Sequence, residues 1–239
     1  MHDRAQYIAD LVRREDRDRY IMALFAPSDR RSDVMALYAF NAELARIRSH
    51  VSEAMIGRIK LQWWRDVIAG IYSGKGAPQG NPVTEALAEA IKNNTLSQPH
   101  FETIIATREQ EIDAQGSFGS VADMETFAEG TSARLIDLVL EVLGAPATPA
   151  ATHAGIAYGI ARLIRAAVLH DPEINLSAYV ETARDHLGKA RAVQVDRRAI
   201  PALLAATMAG QYLRAVHSDV ANIRPSIMQL IWSAWRGKF

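Results

Sequence analysis

The 239-residue chain contains no cysteine, which excludes disulfides, thiolate nucleophiles and cysteine-ligated zinc. Its seven histidines include no pair four residues apart, so the paired-histidine helix of a zinc hydrolase is missing too. A surplus of charge of one sign is also lacking. Lys plus Arg and Asp plus Glu each total 27, a balance that shows neither a nucleic-acid footprint nor an acidic tail. There is no run of about 18 apolar residues to span a bilayer. The opening MHDRAQYIADLVRRED mixes acids and bases where a signal peptide would have an apolar centre. Nor is there a glycine-rich phosphate loop. Together these absences fit a protein of a reducing cytoplasm and leave few kinds of chemistry open.

What is present is ordinary globular material, 49% hydrophobic and 23% charged. That is enough for one substantial core, so a single domain over residues 1–239 is expected. The neutral balance hides a polarity: residues 82–145 carry 3 basic and 11 acidic side chains, and residues 180–239 carry 9 basic and 4 acidic ones. An acidic middle can complement a basic end, or both can be solvated helix faces.

The apolar period is helical almost throughout. Ser28 or Ser32 is placed to cap a helix from about Asp33 through Arg48, and Ser52 to cap one in which Met55, Ile56, Ile59, Trp63, Val67 and Ile71 recur. The turn-rich SGKGAPQGNP ends that helix, Pro82 and Pro99 sit at helix starts, and Ser120 precedes another. Further helices are expected over residues 154–170, 177–195, 198–220 and 225–237. No stretch alternates with period two, so the class is all-α. Adjacent Trp63 and Trp64 point about 100° apart on a helix, which predicts one in the core and one partly at the surface. Trp232 and Trp235, three apart, are expected to dock the last helix onto the core, a partner or membrane surface being the other reading.

Particular phrases carry a resemblance. LYAFNAELARIRSHVSEAMIGRIKLQWWRDVIAGIY, NPVTEALAEAI, FAEGTSARLIDLVLEVLG and GIAYGIARLIRAAVLH resemble the squalene/phytoene synthase family, which joins two prenyl diphosphates head to head. The resemblance implies an isoprenoid-synthase type helical bundle around a central cavity. It also implies two Asp-x-x-x-Asp helices, whose carboxylates hold magnesium and a diphosphate. Laid onto this chain, the first pair falls on Ala45 and Ser49 and the second on Ala166 and His170. All four carboxylates are lost. Within residues 36–50 the one acid is Glu43, about 200° around the helix from Ala45, and residues 154–170 contain none. Asp171 and Glu173 offer at most a displaced ligand. Catalytic members also carry an Arg-x-Tyr-Leu-Pro segment after the second motif, which HDPEINLSAYVETARDHLGKARAV lacks.

In place of acids stand Arg46, Arg48, Arg162 and Arg165. Guanidinium groups bind a diphosphate or a phospholipid head without metal, so these four form a candidate anion or lipid-head site; the alternative is helix-edge arginines paired with acidic helices. A closer resemblance, in AFNAELARIRSHVSEAMIGRIKLQWW and the flanking LVRREDRDRYIMALFAPSDRRSDVMALY, is to the branch that contains the mitochondrial respiratory complex I assembly factor of squalene/phytoene synthase type. It implies a non-catalytic assembly or chaperone-like factor with no cofactor. Its partners would be complex I subunits or an isoprenoid lipid, and its place the cytoplasm with peripheral contact at the inner membrane. The competing reading is a magnesium-dependent prenyltransferase with atypical ligands.

Overall fold

A computed structural model describes residues 2–50, 53–114, 118–170, 176–216 and 225–239. These residues contain helices and no strand, the all-α class that the period predicts. In chain order the α-helices are α1 His2–Glu15, α2 Arg17–Ala23, α3 Arg31–His50, α4 Ala54–Tyr72, α5 Pro82–Asn94, α6 Gln98–Asp113, α7 Val121–Ala128, α8 Arg134–Val142, α9 Pro149–His170, α10 Ser177–Ala192, α11 Ile200–Ala215 and α12 Ile227–Arg236. A π-helical turn, Glu129–Ala133, joins α7 to α8. The described chain packs as two compact units, Met1–Ser117 with Glu141–Gly144 and Phe118–Leu140 with Ala145–Phe239.

Helix starts follow local chemistry. Asn81 accepts from the Val83 and Thr84 amides ahead of Pro82, and Ser120 accepts from Asp123 N–H, each satisfying orphan donors of a first turn. The start of α3 departs from the expectation. It begins at Arg31, after a backbone turn in which Pro27 O accepts the Arg31 amide at 2.9 Å, so backbone rather than Ser28 or Ser32 leads into it. The α4 cap is Glu53, without a side-chain cap bond; Ser52 lies outside the described residues.

The first unit is built on α3. Phe40 meets Trp64 of α4 and Phe101 of α6 edge-on, at centroid distances of 5.2 and 5.4 Å. Leu37, Leu44, Leu61, Ile68, Leu87, Ile104 and Ile105 fill the space around them. Burial of this kind is the main stabilising term. Arg4 ties α1 to Glu85 and Glu89 of α5, and Arg58 and Arg65 tie α4 to Asp113 and Glu109 of α6; such surface pairs add little. A different pair is buried: Arg19 donates to Asp16 at 2.7 Å with both side chains almost wholly covered, while Asp16 also caps α2 through Arg19 N–H.

In the second unit α9 packs against α7, the π turn, α10 and α11. Gly155 makes this possible, since a Cβ there would stand 2.3 Å from Ala133 Cα. One turn on, a Cβ at Gly159 would stand 2.7 Å from Ala128 Cβ. Helix α11 is buried from Ala202 to Leu213, as its largely apolar sequence requires. Helix α12 rests on α11 through Leu230, with Ser233 bonded to Thr207 and Gln229 to Arg214. The expected docking of the last helix through its tryptophans is therefore corrected. Trp232 and Trp235 are 57% and 72% exposed, because their face points away from the one that carries Leu230.

Candidate functional site

Helix α3 presents two faces of interest. The first follows i, i+3, i+4 spacing through Tyr38, Asn41, Ala45 and Ser49. Tyr38 and Asn41 are buried, and burial raises the Tyr38 pKa above the usual phenol range. Asn41 Oδ1 is buried with no hydrogen-bond partner among the described residues, an acceptor left open one turn before Ala45. Ser49 Oγ donates to Arg46 O at 3.1 Å and lies 2.9 Å from His50 Nδ1, so its hydroxyl is engaged within its own helix.

On α9, in the second unit, Ala166 is exposed. His170 ends that helix and its side chain, like Asp171 and Glu173, lies outside the described residues. The magnesium implied by the family does not fit this donor set. Among the described residues of that set Ala45 and Ala166 offer no ligand atom, and the Ser49 hydroxyl, engaged with Arg46 O, does not replace the carboxylates that hold Mg2+. Among the described residues no group of three or more His, Asp or Glu side chains is placed to hold a metal ion.

The second α3 face, Glu43, Arg46, Ile47 and His50, is turned about 145° from the first at 100° per residue. With Ile59, Lys60, Trp63 and Trp64 of α4 and with Asn81 it lines an open cavity of ≈ 480 Å³. That volume is ordinary for a small-molecule site. As the spacing predicts, the tryptophan pair divides: Trp64 is buried in the core and Trp63 is 41% exposed at the cavity. Arg46 is paired with Glu43 at 3.2 Å and approaches Glu15 at 3.7 Å, and its Nε has no hydrogen-bond partner among the described residues. Lys60 stands exposed at the cavity edge. The lining thus combines an apolar wall with cations and one carboxylate.

The arginines singled out in the sequence fall into three settings. Arg46 lines this cavity, whereas Arg48 is exposed on α3 outside the lining. Arg162 and Arg165 lie on α9 in the second unit. The Arg162 guanidinium sits 5.7 Å from the Tyr158 ring centroid. That of Arg165 lies 5.3 Å from the Tyr212 ring and donates to Tyr212 Oη at 3.4 Å, with Nε buried and unpartnered among the described residues. Cation–π contact and partial burial together make Arg165 a structural member of the α9–α11 seam.

Sequence reading missed a histidine chain in the second unit. His153 Nδ1 and His186 Nδ1 are 3.0 Å apart, and His186 Nε2 lies 2.7 Å from Glu125 Oε1. With Nε2–H donated to Glu125, His186 Nδ1 is the acceptor and His153 Nδ1–H the donor. Separations of 33 and 61 residues leave no local signal for this arrangement.

Comparison with known proteins follows the same lines. The family model described as Squalene/phytoene synthase matches residues 12–176. Proteins named NADH dehydrogenase (ubiquinone) complex I, assembly factor 6 are similar: the Rattus norvegicus one is 35% identical over 171 residues, 70% of this chain and 50% of that one. The Bos taurus one is 36% identical over 168 residues, 69% and 50%. The chain therefore spans about half the length of the curated relatives it matches. Among solved structures, a dehydrosqualene synthase in complex with ligand superposes with TM-score 0.74 at 13% identity, covering 99% of this chain and 95% of that one. Squalene synthase HpnC from Alicyclobacillus acidocaldarius gives 0.74 at 16% identity, 93% and 96%. The helical fold of those synthases is thus the fold of this protein, and the chain belongs to the squalene/phytoene synthase family.

Proposed function

We propose that this protein is a non-catalytic member of its family that serves as an assembly or chaperone-like factor for respiratory complex I. The observation that carries the reading is that Ala45, Ser49, Ala166 and His170 offer no carboxylate at the positions the family resemblance assigns to the two Asp-x-x-x-Asp pairs. The similarity to proteins named as complex I assembly factors supports it. Without converging oxygen ligands the departing diphosphate loses the electrostatic stabilisation on which prenyl transfer depends, so the prenyltransferase reading is not favoured. Its place in the cell, on this reading, is the cytoplasmic side of the inner membrane, where complex I is built. Among the described residues no helix is long and apolar enough to cross a membrane, which accords with a peripheral position.

The α3–α4 cavity supplies the ligand side of the proposal. Its apolar wall of Ile47, Ile59 and Trp63 beside Arg46 and Lys60 suits a lipid or isoprenoid with an acidic head. Of the four candidate arginines, Arg46 lines this cavity, Arg48 lies on α3 outside its lining, and Arg162 and Arg165 lie on α9 of the second unit. Deleting the gene is expected to lower assembled complex I, read by native gel and NADH oxidation, more than squalene, carotenoid or hopanoid. Normal complex I beside a missing isoprenoid would overturn the proposal. Mass spectrometry of lipids that co-purify with the native protein, and that are lost in Arg46→Glu with Lys60→Glu, tests the cavity separately.

A further inference from the structure

The last helix has an unusual surface. Ile227, Met228, Ile231, Trp232 and Trp235 of α12 are each between 47% and 73% exposed. At 100° per residue they occupy one continuous arc of about 140°, and the single buried residue of the helix, Leu230, lies outside that arc. Five large apolar side chains on three turns are far more than scattered surface hydrophobics. Cations surround them. Residues 225–239 contain no acid and carry Arg236 and Lys238; Arg236 stacks over the Trp232 ring at 5.2 Å. Arg197 donates to Trp235 O at the helix end, and Arg191 donates to Phe239 O at 2.9 Å.

We infer that α12 is a peripheral docking helix for an anionic phospholipid surface, with Trp232 and Trp235 seated at headgroup depth and Arg236 and Lys238 against the lipid phosphates. An exposed apolar arc, tryptophan at its centre and basic residues at its edge are what an interfacial helix requires. The charge argues against a second copy of the chain, because two such faces brought together would oppose their own basic edges. Exposed tryptophan beside arginine also suits a protein partner, but a wide apolar arc edged by cations, with no acid in residues 225–239, favours the anionic lipid surface. The inference rests on the peripheral position proposed above and names the surface that produces it. Vesicle binding and complex I assembly are separate readouts, so either can fail without the other.

The test uses the full chain with phosphatidylcholine vesicles that either contain or lack phosphatidylglycerol. Expected are co-sedimentation with the anionic vesicles, a blue shift of tryptophan emission, and weakening as salt is raised. Neutralising Arg236→Gln and Lys238→Gln should weaken partition about fivefold for each charge removed. Trp232→Ala with Trp235→Ala should abolish it, while the circular dichroism melt is unchanged because both rings are exposed. Binding that survives the double tryptophan variant would overturn the inference. So would an absence of vesicle binding, or light scattering that shows a dimer dissolved by the same two substitutions.

Discussion

At the residue scale, the buried Asp16–Arg19 pair and the histidine chain are where single side chains matter most. Arg19→Leu leaves the Asp16 carboxylate covered and without its guanidinium, which should cost about 3–5 kcal/mol in urea unfolding. Asp16→Leu with Arg19→Leu should cost less than Arg19→Leu alone, since the covered Asp16 charge is removed along with Arg19; a double variant at least as unstable as the single one would show that the pair is not desolvated as described. His153 carries a pH dependence. Burial, and then the neighbouring His186, hold its pKa below the usual histidine value of 6.5, so in the window just below that value the unfolded chain binds a proton that the native chain refuses. Stability is then complete above about pH 6.5 and falls on acidification towards the depressed native pKa. Thermal midpoints should drop across this window in the native protein and less in His153→Gln; equal pH slopes would remove His153 as the cause. Neither the pair nor the chain is marked in the sequence, for a histidine reads the same whether its partner is solvent or another histidine 33 positions away.

Elements show a clearer relation between pattern and outcome. Turn chemistry and period place most helices to within a few residues, as at Asn81–Pro82, Pro99 and Ser120, whereas α9 begins at Pro149 rather than at residue 154. The exceptions have physical reasons: α3 is led in by backbone bonds, which carry no residue signature, and the π turn at Glu129–Ala133 belongs to a packing contact rather than to a propensity. Gly155 is the other half of that contact. Gly155→Ala introduces a Cβ that would sit 2.3 Å from Ala133 Cα, and displacing backbone should cost about 1–3 kcal/mol despite the better helix propensity of alanine. Chemical denaturation reads this directly, and a stabilised Gly155→Ala would mean that α9 shifts freely against the π turn. For α12 the spacing of Trp232 and Trp235 identifies one face correctly, but not what that face meets.

For the whole molecule, the decisive pairing is a synthase fold with Ala45, Ser49, Ala166 and His170 where the family resemblance places the ligands. Purified protein with magnesium and farnesyl or geranylgeranyl diphosphate should give no squalene or phytoene above a boiled control. Metal-dependent product would falsify the non-catalytic reading. Restoring Asp at positions 45, 49, 166 and 170 is a stricter test of the family geometry. Each pair is one turn apart on its helix, so each helix would offer two carboxylates on one face, and the arrangement implied by the family resemblance predicts magnesium-dependent diphosphate binding by calorimetry. Turnover should remain low, because the Arg-x-Tyr-Leu-Pro segment is still missing. No binding in that quadruple variant would mean that the two helices do not present these positions to one site.

By itself the sequence determined the all-α class, most helix limits and the family, because each is either a local periodicity or a phrase that resembles the family's; the loss of four carboxylate positions is what that resemblance implies. It also divided Trp63 from Trp64, since neighbours on a helix must diverge by about 100°. Only the tertiary structure decided which cations are already engaged, Arg46 by Glu43 and Arg165 by Tyr212. It alone brought α3 and α4 together as the wall of a cavity away from the Ala45–Ser49 face, and left the indoles of α12 outside the core. Those outcomes depend on contacts between residues far apart in the chain, where competition among many possible partners is resolved by packing rather than by spacing.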